Sequence, residues 1–293
     1  MLGRLPPVVA LAAACASGGA SGGTTPTPYT PSSAHVGDRP AQPPNASDLV
    51  RYGPNALRYV VRRQLHIQQG LAQQTHTQDL GTRTFLTVAM SGPPDNIGYP
   101  TTFTVDSIVA DSGTPTQIKD NLDRAKRLVF SGRVASGGEF VNGVPSDSAA
   151  AQSLIQLFGG FRDFLPRIPR AGLELGTTWS DTLDRSQKGG GRDVTFHTVV
   201  QGRATAWEDY AGTRSLRVAG TVSYTVAGTA QTARQPVQIA GQGTGTGVSF
   251  IAADGRFMGA ESRDSANLTY RFLNEGVTLP VVQVTRTTVV VLP

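Results

Sequence analysis

After residue 50 the chain is dominated by alternation of apolar and polar positions. In residues 57–69, Leu57, Tyr59, Val61, Leu65 and Ile67 fall on one face, and Arg58, Arg62, Gln64, His66 and Gln68 fall on the other. That period of two predicts a strand with one buried side. Similar runs occupy residues 82–90, 101–110 and 127–134, and Asn142-Gly143 predicts a two-residue hairpin. Residues 115–126 place Ile118, Leu122 and Ala125 in helical register, which predicts a short helix between strands. The clearest alternation comes later, where Leu216, Val218, Gly220, Val222, Tyr224 and Val226 interleave with Arg217, Ala219, Thr221, Ser223 and Thr225. Residues 194–201, 237–251, 257–272 and 281–292 extend the series, and Asp254-Gly255 predicts a tight hairpin between two of them. Several of these runs reach about 12 to 16 residues, or ~40 to 50 Å, well above the usual strand length.

One stretch breaks the period of two. Leu154, Phe158, Phe161 and Leu165 follow at three- and four-residue steps with Leu157 and Phe164 beside them, predicting an amphipathic helix of roughly 18 residues. Pro166 and Pro169 end it. Beyond them, Gly176 suits a tight turn and Trp179 supplies a large apolar anchor at the start of the next strand. This Gly-x-x-Trp segment resembles one found in secreted, β-rich bacterial lipoproteins. Together the pattern predicts a mainly β fold: a large curved antiparallel sheet, an open half-barrel of about ten long strands, with the amphipathic helix at its centre and one short helix besides. Neither β block has enough strands to close around the helix alone, which predicts a single domain over residues 49–293.

The first 48 residues follow a different logic. Residues 1–14 carry one positive charge at Arg4, a short apolar run and small residues before Cys15, the layout of a secretory signal. The run Leu11-Ala12-Ala13-Ala14-Cys15 resembles the lipobox of bacterial lipoproteins, with Leu11 four residues before the cysteine instead of three. The resemblance implies that Cys15 is acylated and becomes the mature N-terminus; the alternative is an ordinary cleaved signal ending at Ala14-Cys15-Ala16. Residues 16–47 are rich in Gly, Ser, Thr and Pro and cannot bury enough apolar surface to offset the entropy of ordering. They are expected to form a tether behind the lipidated cysteine, over residues 15–48. The implied location is the cell envelope, on a membrane facing the periplasm, most plainly the outer membrane.

Composition narrows the chemistry. The net charge of +5 arises from many Arg and three Lys, but no basic helix, zinc-finger spacing or aromatic-and-basic segment indicates nucleic-acid binding. One cysteine in the whole chain leaves no internal disulfide framework. His66, His76 and His197 belong to no HxH or HExxH pattern, and no G-x-S-x-G elbow occurs. The pairs Asp120/Asp123, Asp181/Asp184 and Glu208/Asp209 suit solvated turns and faces, while Arg124, Lys126 and Arg127 suit the end of a short helix. The run Gly241-Gln242-Gly243-Thr244-Gly245-Thr246-Gly247 has threonine where a dinucleotide fingerprint needs glycine and is followed by strand sequence. No enzyme, metal or cofactor is expected.

The lipobox-like leader, the strand count and the helix placement give residues 50–293 a resemblance to the Lol-type lipoprotein carriers and the mycobacterial lipid-binding lipoproteins. That resemblance implies a concave face that holds acyl chains, without any residue-level motif. The leading expectation is a non-enzymatic envelope lipoprotein holding a lipid or other apolar ligand between curved sheet and helix. The residues expected to line that site are Leu154, Phe158, Phe161, Trp179, Gly243 and Gly245. The alternative is an envelope scaffold or protein-interaction domain with a filled core, and an uncharacterised enzyme is the third reading. Glycine weakens a strand, so the alternating glycines imply either a bare groove under an aromatic ring such as Phe158, Phe161 or Trp179, or a sharp bend or bulge in a long curved strand.

Overall fold

The computed structural model describes residues 49–71, 74–111, 114, 116–151, 161–189, 191–232 and 235–293. Cys15, the leader, the tether, Leu154, Leu157 and Phe158 lie outside them. The first block contains β1 (Asn55–Leu71), β2 (Gln74–Met90), β3 (Tyr99–Ala110), α1 (Thr116–Arg124), β4 (Val129–Val134) and β5 (Phe140–Pro145). The second contains β6 (Thr178–Gly189), β7 (Arg192–Tyr210), β8 (Thr213–Gln231), β9 (Pro236–Ala252), β10 (Phe257–Phe272) and β11 (Val277–Leu292). The eleven strands form one sheet in the order β5-β4-β3-β2-β1-β11-β10-β9-β8-β7-β6.

Every described ladder is antiparallel, and the β1–β11 ladder joins the two blocks, running from Arg58↔Leu292 to Gln69↔Val281. Each other pair consists of strands consecutive in sequence. The connection from β5 to β6 is the exception, because these two strands are the opposite edges of the sheet. Residues 146–177 must therefore travel from one edge to the other.

That crossing segment corrects the sequence reading. Residues 148–151 are helical, but Phe161–Asp163 is one turn of 3-10 helix and Phe164 and Leu165 form a bend. The expected continuous helix through Phe161 and Leu165 does not form. Pro166 disfavours helical geometry in the residue before it, and the rings of the segment are claimed by strands. Phe161 stacks on Phe103 at 5.0 Å, and Phe164 meets Tyr59, Phe103 and Phe257 edge-on at 5.2 to 5.7 Å. Tertiary contact has overridden helical periodicity.

A second correction concerns Asn142-Gly143. The pairs Ser131↔Val144 and Arg133↔Val141 leave both residues opposite Gly132, making a bulge in edge strand β5. Asn142 does take the left-handed backbone of a turn residue, with φ 54°. The hairpin itself turns at 135–139, closed by the Ala135 N–H donating to the Glu139 carbonyl. Asp254-Gly255 joins β9 to β10 as expected, with Gly255 at φ 85°.

Two apolar clusters share the inward face. One gathers Tyr59, Leu86, Phe103, Phe130, Phe140 and Phe257 under the crossing segment, with Leu122, Ala125 and Leu128 of the α1 region. The other, toward the far ends of the long strands, contains Leu65, Phe196, Val226, Tyr270, Phe272 and Leu279. Of the described helical elements, α1 packs on β3 and the 3-10 turn beside β5. Among the described residues, the second cluster consists of strand side chains packed on one another, in strands of up to 19 residues.

Candidate functional site

Between the two apolar clusters the inward face changes character. Cross-strand register sets Trp179 of β6 beside Gly202 of β7, Gly220 of β8 and Gly247 of β9. The same row continues through Ser262 and Thr287 to Arg63 of β1. One step along the strands lie Val222, Gly245, Asp264 and Thr285. A belt of glycine and polar residues therefore crosses an otherwise apolar face.

The glycines are bare for different reasons. A Cβ on Gly202 would overlap the Trp179 indole, and one on Gly243 would overlap the Tyr224 ring. A Cβ on Gly245 would lie 2.6 Å from Asp264 Oδ1, and one on Gly247 would lie 2.6 Å from the Glu261 carbonyl oxygen. Gly220 differs, because the nearest atom to its Cβ position is the Gln201 carbonyl oxygen at 3.5 Å. Residues 237–250 pair with β8 and β10 without a register shift, and the shift in the β9–β10 ladder, between Phe257 and Gly259, lies beyond the glycines; none of these glycines has positive φ. No bulge therefore interrupts the glycine run, which removes the bulge half of the alternative. The ring covering Gly243 is Tyr224, while Phe161 and Trp179 pack elsewhere.

Above the bare row lies a slot of about 70 Å³ floored by Gly202, Gly220 and Gly247, with Trp179, Val200, Val218 and Phe257 in its walls and Phe164, Pro166 and Arg167 as its roof. Tyr52 pins the roof by donating from its hydroxyl to the Pro166 carbonyl at 2.7 Å. Arg167 holds it by ion pairs to Glu139 at 3.2 Å, Asp163 at 3.1 Å and Asp181 at 3.7 Å. Arg185 of β6 binds Asp163 through both terminal nitrogens, and Arg162 pairs with Glu139. The network links the β4–β5 turn, the crossing segment and edge strand β6. Burial works against the Arg167 charge, and the facing Asp163 and Glu139 carboxylates outweigh it and raise its pKa.

On the belt, Trp179 Nε1 and Asp264 Oδ1 are buried without a hydrogen-bond partner among the described residues. Asp264 is 5% exposed, and burial pushes its carboxyl up to about 7, with Arg63 pulling the other way. Such orphaned groups are costly in a low-dielectric interior.

The expected site residues are only partly brought together. Trp179 lines the slot; Gly245 is on the belt, one step from the slot floor; Gly243 is one step further, beneath Tyr224. Phe161 sits in the aromatic cluster against Phe103 and Phe130. Gly202, Asp264, Arg63 and Arg167 carry no signal in the sequence pattern, and Gly220 enters it only as one position of an alternating strand. His66 and His197 face outward, each 2.7 Å from a cross-strand carboxylate, Asp79 and Asp184 respectively. Among the described residues no group of three or more His, Cys, Asp or Glu is placed to hold a metal ion, and no helix is long and apolar enough to cross a membrane. No protein-family model matches the chain, and no curated protein is significantly similar to it.

Proposed function

We propose that the chain is a non-enzymatic cell-envelope lipoprotein, anchored at Cys15 and facing the periplasm, that holds a lipid or other apolar ligand between its sheet and the segment that crosses it. The observation that carries this reading is the slot: a space with a glycine floor, a mainly apolar wall bordered by Ser262 and Thr287, and a roof of Phe164–Arg167, lying between two buried apolar clusters. On this reading the sheet is an open half-barrel whose seam, between β5 and β6, is spanned by the crossing segment. Pockets that bury drug-sized ligands run to ~300 to 1,000 Å³, so the ligand admitted is narrow or enters by lifting the roof. Saturable binding of N-phenyl-1-naphthylamine, competed by extracted envelope lipid, tests the reading; absence of saturable binding by folded protein contradicts it. For the anchor, Cys15→Ser is expected to move the protein from the membrane fraction to the soluble fraction, and its full retention in the membrane would contradict the assignment.

The close packing of both apolar clusters favours a second reading, an envelope scaffold that acts through its outer face. It predicts that purified protein carries no lipid.

A further inference from the structure

Resting on the apolar-ligand reading and specifying its site, we infer that the slot over Gly220 takes a narrow apolar chain bearing a hydrogen-bond acceptor, such as an acyl ester, with the acceptor meeting Trp179 Nε1. Three observations converge. Glycine in a regular strand costs stability relative to a β-branched residue, and contacts account for Gly202, Gly243, Gly245 and Gly247 but not for Gly220. What Gly220 opens onto is the slot itself. Its missing side chain is therefore explained by the space it leaves.

The slot walls then define the ligand. Val200, Val218, Phe257 and Phe164 offer apolar contact, and Ser262, Thr287 and Arg167 also border the slot, a lining that suits a hydrocarbon chain carrying a polar group. Trp179 also lines the slot, and its buried indole N–H is a donor with no acceptor among the described residues. A ligand acceptor would relieve that cost, whereas a pure hydrocarbon would not. A second unmet polar atom on the same belt, Oδ1 of the 5% exposed Asp264, is set against bare Gly245 beside the slot floor. The interior belt is thus built with polar capacity that the described protein residues leave unused.

Trp179 and Trp207 are the two tryptophans of the chain, and Trp207→Phe leaves Trp179 as the sole indole reporter. In that background, methyl decanoate is expected to change Trp179 emission saturably, with decane binding at least tenfold more weakly. Gly220→Val, whose side chain has room to fill the slot, is expected to abolish the ester response while keeping or raising the unfolding midpoint. An unchanged response in folded Gly220→Val overturns the site, and equal affinity for decane and methyl decanoate overturns the role of Trp179. These outcomes differ from failure of the broader reading, in which neither the ester nor N-phenyl-1-naphthylamine binds. Should Gly220→Val not fold, Gly220→Ala with a weakened ester response is the supporting result, and an unweakened one is contrary.

Discussion

Asp264 concentrates the energetic tension of the inward face in one carboxyl. Its pKa is raised from 3.8 to about 7 by burial, so the folded protein binds this proton more tightly than the unfolded chain does. Stability contributed by the protonated form is fully present below about pH 4, falls as pH rises toward about 7 and is flat above, a span of roughly 4 kcal/mol. Asp264→Asn cannot ionise and lacks that slope. Denaturant titrations at pH 5 and pH 8 should show the variant gaining roughly 2 to 3 kcal/mol on the natural protein between the two; parallel behaviour would show that the carboxyl ionises freely in the fold. Gly243 is a tension of another kind. Gly243→Val should lower stability by ~1 to 3 kcal/mol because the Tyr224 ring occupies the space. Thermal unfolding measures it, and a raised midpoint would mean that the ring moves aside without cost.

At the scale of elements, strands were legible and the crossing segment was not. Alternation at residues 57–69 and 216–226 reports one-sided burial directly, and β1 and β8 contain those residues. Gly176 and Trp179 marked a turn and a strand start, and the structure has Gly176 at φ 87° and Trp179 as the second residue of β6. Helical spacing of Phe161 and Leu165 misled because it records only that apolar residues recur. Which rings they meet depends on strands up to about a hundred residues away, as with Phe164 on Tyr59 and Phe257. The ion network was equally invisible, since Glu139, Arg167 and Arg185 converge only once both sheet edges are in place. Arg167 is 13% exposed in its side chain, and Arg167→Ala should cost about 1 to 3 kcal/mol by leaving Asp163 and Glu139 partly unpaired. A urea double-mutant cycle with Glu139→Gln should show coupling above ~0.5 kcal/mol; additive losses would reduce the network to independent surface pairs.

For the whole molecule, the β1–β11 ladder decides how the chain behaves. β1 hydrogen-bonds β2 on one side and β11 on the other, so the first block alone would expose a strand of 17 residues along one edge. Residues 49–145 expressed alone should therefore lack a cooperative unfolding transition, and a soluble, cooperatively unfolding fragment would show two independent units instead. Charged side chains such as Arg58, Asp79 and Asp184 are exposed on the outward face, whereas the slot lies on the inward one. That division makes the inside of the sheet the place where the functional account stands or falls. Mass spectrometry of organic extracts from purified, folded protein tests it most directly. Co-purifying lipid in amounts comparable to protein from the natural sequence, depleted in Gly220→Val, is the expected result; lipid-free extracts from both would contradict an apolar ligand held between the sheet and its crossing segment.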